Sequence, residues 1–349
     1  MKIAIVSDAW EPQVNGVVTT LVDLQHKLAS AGHEVVMIEP SFFRRWRCPV
    51  YPEIELAWRP RPELERRLDA ARPDAIHIAT EGPLGHATRA HCRRRGLRFT
   101  TAFHTRFPEF LSAATGVPER WGYAVLRRFH APSAGVMVPS QGTMGILRRY
   151  GFARLRPWSH GIDLQLFQPR PNANLGLPRP VFLFVGRISP EKNLEAFLRL
   201  DLPGSKVVCG SGPLLERYRR SYPRVHWFGP VPRCRLVEIY GAADSFVYPS
   251  RTDTFGLVML EALACGTPVA AYPVDGPLDV VGRSDGGVLD ADLRNAALRS
   301  LEVPRERARA RAMEFDWDRV SRQFLAHLVP AADAKPRIAP AVVVAVAKL

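Results

Sequence analysis

The chain has 349 residues and a net charge of +14, from 48 basic against 34 acidic side chains. That length exceeds one typical core and suits two domains, while 46% hydrophobic and 23% charged residues are ordinary for a soluble globular protein. No apolar run approaches the ~20 residues needed to cross a bilayer, which excludes a membrane-embedded chain.

Ile3 to Val6 is a short apolar run of the kind that forms a buried parallel strand, and at the N-terminus it is far too brief for a signal-peptide core. In EPQVNGVVTTLVDLQHKLASAGHEVVMIEP, Gly16 precedes an expected helix, Gly32 stands as its C-cap, and 34–38 is the next strand. Further strands are expected in PDAIHIAT (73–80), LRFTTAFHT (97–105) and GVMVPS (135–140), with helices between them. A stretch holding Pro169, Pro171 and Pro178 follows, and the pattern restarts with PVFLFVGRI (180–188). SKVVCGSGP, VHWFGPV, DSFVYPS and TPVAAYPV continue it. The expected fold is α/β: two doubly wound domains, 1–165 and 170–314, facing a central cleft. Ligands of such sheets bind beyond the carboxyl ends of the strands, so the strand-to-helix loops are where chemistry is sought.

SRTDTFGLVMLEALACGTPVAA (250–271) poses the sharpest question. It reads as a loop and a helix over 257–264, yet Glu261 lies among apolar neighbours. A buried carboxylate is costly unless something pairs with it. Either a protein group reaches it or a ligand does. Amides at Gly256, Leu257 and Val258 would form an anion site at the helix start, Glu261 could accept two ribose hydroxyls, and Asp253 could accept hydroxyls of a second sugar. The plainer alternative is that Asp253 caps the helix and Glu261 pairs with an arginine. In VGRISPEKNLEAF (185–197), a loop carries Arg187, Ser189-Pro190-Glu191 is expected to start a helix, and Arg187 and Lys192 are placed to face an anion between them. A planar fork and a compact charge together suit phosphates, against the alternative of a solvated helix start. Only six of the 48 cations are lysines, which makes Lys192 mildly informative. Gly16 is a turn glycine that would let a phosphate or sugar approach. His104 ends a strand on the cleft side, although a lone histidine is more often structural. Asp290-Ala291-Asp292 matches DxD, but no nearby carboxylate or histidine completes a metal ligand set.

Cys48, Cys92, Cys209, Cys234 and Cys265 are scattered and lack CxxC spacing, as fits reduced thiols in the cytoplasm. Arg44, Arg45 and Arg47 around Trp46, with Arg93 to Arg95, form basic clusters that suit an anionic membrane interface. Nucleic acid is disfavoured because the charge is dispersed and no aromatic–basic recognition motif occurs. The C-terminal IAPAVVVAVAKL is too short to span a bilayer.

TDTFGLVMLEALACGTPVAA, VGRISPEKN, HGIDLQLFQP (160–169), GSGPL and the early NGV resemble, in order and spacing, the retaining GT-B glycosyltransferases of family four. The resemblance covers nearly the whole chain. It implies two Rossmann-like domains, with FDWDRVSRQFLAHL as a closing helix (about 315–330) returning to the first and 331–349 as a tail. It also implies transfer of a hexose, with mannose in view, from a nucleoside diphosphate sugar to a lipid or glycan, with an α linkage and no metal or cofactor. Asp253 stands where the family has glutamate, one methylene longer. The resemblance implies that Asp253 contacts the donor sugar, Glu261 the ribose, and Arg187 and Lys192 the leaving diphosphate. Gly16 would lie near the phosphates and His104 beside the anomeric carbon. FHTRFPEF, EGPLG and TDTFG look most like bacterial α-mannosyl and sulfoquinovosyl transferases. A cytoplasmic enzyme, peripheral on the inner membrane, is the expectation. Alternatives are a sugar-nucleotide 2-epimerase on the same architecture, an inactive sugar-binding module and a basic binding protein.

Overall fold

The computed structural model describes residues 1–13, 15–47, 55–282 and 285–332; Cys48 and IAPAVVVAVAKL lie outside them. The first half contributes β1 (Lys2–Val6), β2 (Glu34–Ile38), a short antiparallel pair β3 (Arg45–Arg47) and β4 (Glu55–Ala57), then β5 (Ala75–Ile78), β6 (Thr100–Ala102), β7 (Val136–Val138) and β8 (Leu155–Pro157). The second half contributes β9 (Val181–Val185), β10 (Ser205–Cys209), β11 (His226–Gly229), β12 (Ser245–Tyr248), β13 (Val269–Ala271) and β14 (Gly287–Leu289). Two parallel six-stranded sheets result, ordered β2-β1-β5-β6-β7-β8 and β11-β10-β9-β12-β13-β14. The α/β architecture of two Rossmann-like sheets is therefore present.

Central strands are apolar on both faces because helices cover both. Along β9, Val181, Leu183 and Val185 enter one core while Phe182 and Phe184 enter another. Along β1, Ile3 and Ile5 separate from Ala4 and Val6 in the same way. The helix Gly16–Ser30 buries Val18, Leu21, Leu24 and Leu28 at near-helical spacing, and Asn15 caps it by accepting from the Val17 and Val18 amides. The strands stay parallel, but the sense in which successive strands are added reverses between β1 and β5, and again between β9 and β12. Those reversals open crevices at the strands' carboxyl ends.

One helix belongs, by packing, to the half it does not follow in sequence. Trp317–His327 comes after the second sheet yet buries Trp317, Val320 and Phe324 with Ile3, Ile5, Leu21, Leu24 and Trp158. Trp158 Nε1 donates to the Val320 carbonyl at 3.3 Å, and Lys27 pairs with Asp318. The outgoing and returning chain segments touch at a parallel bridge between Ile162 and Asp316, where the Ile162 amide donates to the Phe315 carbonyl at 3.0 Å. Beside it the Trp317 ring lies flat on Gly161: a Cβ there would come within 2.5 Å of Cδ2.

Gly161→Ala is therefore expected to destabilise the protein by about 1–3 kcal/mol through overpacking, read as a lower denaturant midpoint. An unchanged midpoint would show that the returning helix is not held at this contact.

Candidate functional site

The helix Leu257–Ala264 follows β12 at the reversal of the second sheet, and Met259, Leu260, Ala262, Leu263 and Ala264 are all buried around Glu261. The Glu261 side chain is itself buried, and the Tyr240 hydroxyl donates to its Oε2 at 3.0 Å. Burial pushes the carboxyl up to about 7, against the opposing pull of the Arg233 charge and the Tyr240 bond. Arg233 does not clasp Glu261. Its two terminal nitrogens reach Asp23 of the first half at 3.1 and 3.2 Å. Among the described residues Glu261 is thus hydrogen-bonded by a neutral phenol, while the Arg233 charge acts on it without a direct bond.

Asp253 is half-buried and is held differently. Lys192 Nζ donates to Oδ1 at 2.7 Å and Oδ2 at 2.8 Å, and the Tyr248 hydroxyl bonds to Oδ2. Burial raises the carboxyl, but the Lys192 charge and these bonds outweigh it and hold the group below its usual range. Lys192 follows β9 and Asp253 follows β12, so the ion pair spans the crevice where the strand order reverses. Asp253 caps no helix. Gly256 is the N-cap of Leu257–Ala264, with φ +90° and no side-chain cap bond; a Cβ there would meet Tyr248 Oη at 2.8 Å and Met259 Cε at 2.6 Å. The amides at Leu257 and Val258 open that helix.

The first half closes over this loop. A Cβ on Gly16 would lie 3.3 Å from Leu257 Cδ1, and Thr254 Oγ1 donates to the His104 carbonyl at 2.7 Å. The His104 ring is buried and stacks on His160, with centroids 5.5 Å apart and planes 16° apart. His160 in turn faces Phe255 edge-on at 5.0 Å and meets Thr20 Oγ1 through Nδ1 at 3.2 Å. Burial lowers the His104 pKa to about 4 and pushes His160 well down, so both rings are neutral at neutral pH. Neither His104 ring nitrogen has a hydrogen-bond partner among the described residues. An unsatisfied buried donor or acceptor costs about 1–3 kcal/mol, a debt that a bound polar ligand would remove.

Several sequence readings need correction. The helix does not begin at Ser189. Pro190–Lys192 is a single 3₁₀ turn, Asn193 has φ 51°, and the α-helix is Leu194–Leu198, because proline-led tightening and a left-handed residue break the run. Lys192 does not face open space but holds Asp253. Arg187 is exposed in the loop after Gly186. GSGP has a packing reason: a Cβ on Gly210 would sit 1.9 Å from the Gly186 carbonyl oxygen. EGPLG serves Asp8, whose carboxylate accepts from Thr80 Oγ1 at 2.9 Å and the Leu84 amide at 2.8 Å. Asp290 accepts from the Asp292 amide, and Asp292 caps the helix Leu293–Ser300. Sequence reasoning gave no role to Tyr240, Tyr248, Arg233, Asp23, Thr20 or His160. The tyrosines read as core aromatics and Arg233 as one arginine among many; only His160, inside HGID, carried a local signal.

Raised Glu261 implies a pH signature. Its folded value lies above the unfolded one, so neutral Glu261 favours the fold below about pH 4.5, and that contribution is lost as pH rises through about 7. Glu261→Gln should flatten the stability profile across this window and be at least as stable as the parent at pH 8. A parallel drop of both profiles over that range would refute the assignment.

The residues 14–166 match the family model described as Glycosyltransferase Family 4, and 169–299 the one described as Glycosyl transferases group 1. A GDP-mannose-dependent alpha-mannosyltransferase of Mycobacterium tuberculosis is 30% identical over 316 residues, 83% of each chain. The sulfoquinovosyl transferase SQD2 of Arabidopsis thaliana is 28% identical over 264 residues, covering 70% of this chain and 51% of that one. Among solved structures, sucrose-phosphate synthase from Thermosynechococcus elongatus superposes with a TM-score of 0.74 at 24% identity, over 93% of this chain and 97% of that one. HepE of Anabaena, solved with UDP and glucose, gives 0.69 at 16% identity, over 93% and 98%. These two share the fold. With two matched models covering both halves and a relative alike across most of its length, the chain belongs to the family 4, group 1 glycosyltransferases and has the GT-B fold.

Proposed function

We propose that this glycosyltransferase moves a hexose, mannose in the first instance, from a nucleoside diphosphate sugar to a hydroxyl of a lipid or glycan, retaining the α configuration and using no metal. The observation that carries the reading is the Lys192–Asp253 pair, set across the crevice and eight residues before the buried Glu261. GDP-mannose in the names of two relatives supports mannose as the first sugar to test.

The roles follow from charge. Glu261 accepts the ribose hydroxyls, which replace water as its missing donors. The Leu257 and Val258 amides, at a helix start with no side-chain cap, receive a phosphate. Donor binding separates Lys192 from Asp253: the lysine turns to the diphosphate, a stronger anion, and Asp253 accepts sugar hydroxyls. Arg187 adds a second cation to the leaving diphosphate. Cations and dipoles aimed at developing charge lower the barrier electrostatically. Neutral His104, with two ring nitrogens to satisfy, sits beside the anomeric carbon and stabilises charge there. Same-face attack by the acceptor hydroxyl, with its proton passing to the departing phosphate, retains configuration without an enzymic nucleophile. The reaction is placed at the cytoplasmic face of a membrane.

Lys192→Ala would strand half-buried Asp253, a change that can cost several kcal/mol by itself, so the informative variant is Lys192→Gln. At saturating donor its turnover should fall at least tenfold, about 1.4 kcal/mol of barrier; unchanged turnover would sink the lysine's role. A thermal-shift panel of nucleoside diphosphate sugars should raise the melting temperature most for the true donor, and Glu261→Gln should blunt that shift. If the panel is silent, or if donor alone yields a new sugar nucleotide without acceptor, the transfer reading fails.

A further inference from the structure

The helix Glu119–His130 has two apolar faces. One, with Tyr123 and Phe129, is buried. The other presents Trp121, Ala124, Val125 and Arg128, which fall on one stripe at i, i+3, i+4 and i+7. Trp121 is 60% exposed and Val125 63%. The outward face of a helix in a soluble domain is ordinarily polar. Beside this stripe a groove of about 680 Å³ runs to the turn at 151–154, with Ala153 in its wall and Arg127, Arg128 and Arg154 at its rim.

In the clusters conspicuous in the sequence, three arginines are neutralised by carboxylates. Arg45 pairs with Glu55 across the β3–β4 ribbon at 2.5 Å. Arg94 pairs with Glu65, and Arg95 with Asp69 at 2.9 Å. By contrast, Arg127 donates to the Tyr150 carbonyl at 3.4 Å and Arg154 to the Ala131 carbonyl. Neither carbonyl cancels a charge, and among the described residues no carboxylate pairs with Arg120, Arg127, Arg128 or Arg154. Glu119, the helix's own acid, is half-buried and bonded to Tyr150. The patch is therefore apolar at its centre and positively charged at its rim.

We propose that this face docks the protein on an anionic lipid bilayer. Trp121 and Val125 enter the boundary between headgroups and acyl chains, where an exposed indole is stable. A lipid phosphate lies in the groove against Arg127, Arg128 and Arg154, since basic residues are drawn to anionic leaflets. The face is also tied to the cleft. Tyr123 donates to Glu109 at 2.7 Å, Glu109 accepts from Arg106 at 2.7 Å, and Arg106 reaches Asp275 of the second half at 3.1 Å. Docking thus sets the mouth of the cleft near the plane that holds a lipid acceptor. Its purpose rests on the lipid-acceptor reading; its measurement does not.

The test is co-sedimentation of the full chain with phosphatidylcholine vesicles and with vesicles containing phosphatidylglycerol. Binding is expected to the second kind and to weaken with added salt. Trp121→Ser with Val125→Ser should weaken it at least tenfold, and Arg128→Ala with Arg154→Ala should reduce it to the level seen on neutral vesicles. Both variants should keep the parent's thermal shift with donor, which shows that they fold. Equal binding to both vesicle types, no binding to either, or parental binding by the Trp121–Val125 variant overturns the proposal. So does loss of binding on Trp46→Ser alone, or a patch that captures a protein in place of lipid. Failure here with an intact donor shift leaves the transferase reading standing, whereas vesicle binding without any donor shift does the opposite.

Discussion

Two carboxylates are held away from water at the carboxyl edge of the second sheet, and the site depends on how each is tolerated. Asp253 is stable because Lys192 reaches it with two bonds and a full charge. Glu261 has a tyrosine hydroxyl and an arginine already engaged with Asp23, so its ionised form is poorly supported in the free protein. The same desolvation penalty therefore yields one carboxylate firmly charged and one poised near neutral pH. In the proposed reading, a nucleoside diphosphate sugar would bring what each lacks or can exchange: hydroxyl donors for Glu261 and a competing anion for Lys192.

The fold was largely legible in the sequence, because buried parallel strands leave short apolar runs and helices leave their periodicity. The bounds of the helix Leu257–Ala264 could be read directly from its apolar run and from Gly266 beyond it. Less legible were features set by contacts distant in sequence. Nothing in VGRISPEKN states that Lys192 will turn to Asp253, 61 residues on. Tyr240 and Tyr248 look like core filling, and they are, but each also places its hydroxyl on a carboxylate. The His104–His160 stack could not be read from either residue alone, since it depends on strand-end loops brought together by the sheet.

Runs of charge in the sequence do not say which cations are paired in the fold. FFRRWR and the three arginines 93–95 stand out because cations are adjacent in the chain, yet adjacency is not field. Ribbon and helix partners supply carboxylates to Arg45, Arg94 and Arg95. The arginines around Trp121 are dispersed in sequence over 120–154 and gather only in three dimensions, where no carboxylate among the described residues pairs with Arg120, Arg127, Arg128 or Arg154. Dispersed cations on one face act on a charged surface more strongly than a neutralised run does.

The returning helix Trp317–His327 has a consequence for biosynthesis. The first sheet emerges first, but the side chains that cover Ile3, Ile5 and Trp158 include Trp317 and Phe324, which are made only after the entire second half. While the chain is being synthesised the first half must wait with part of its core uncovered, and the second half, whose own elements are contiguous, can close earlier. Completion of the older half thus depends on the younger, and a nascent chain stalled before residue 317 would carry an exposed aromatic seam for chaperones to guard.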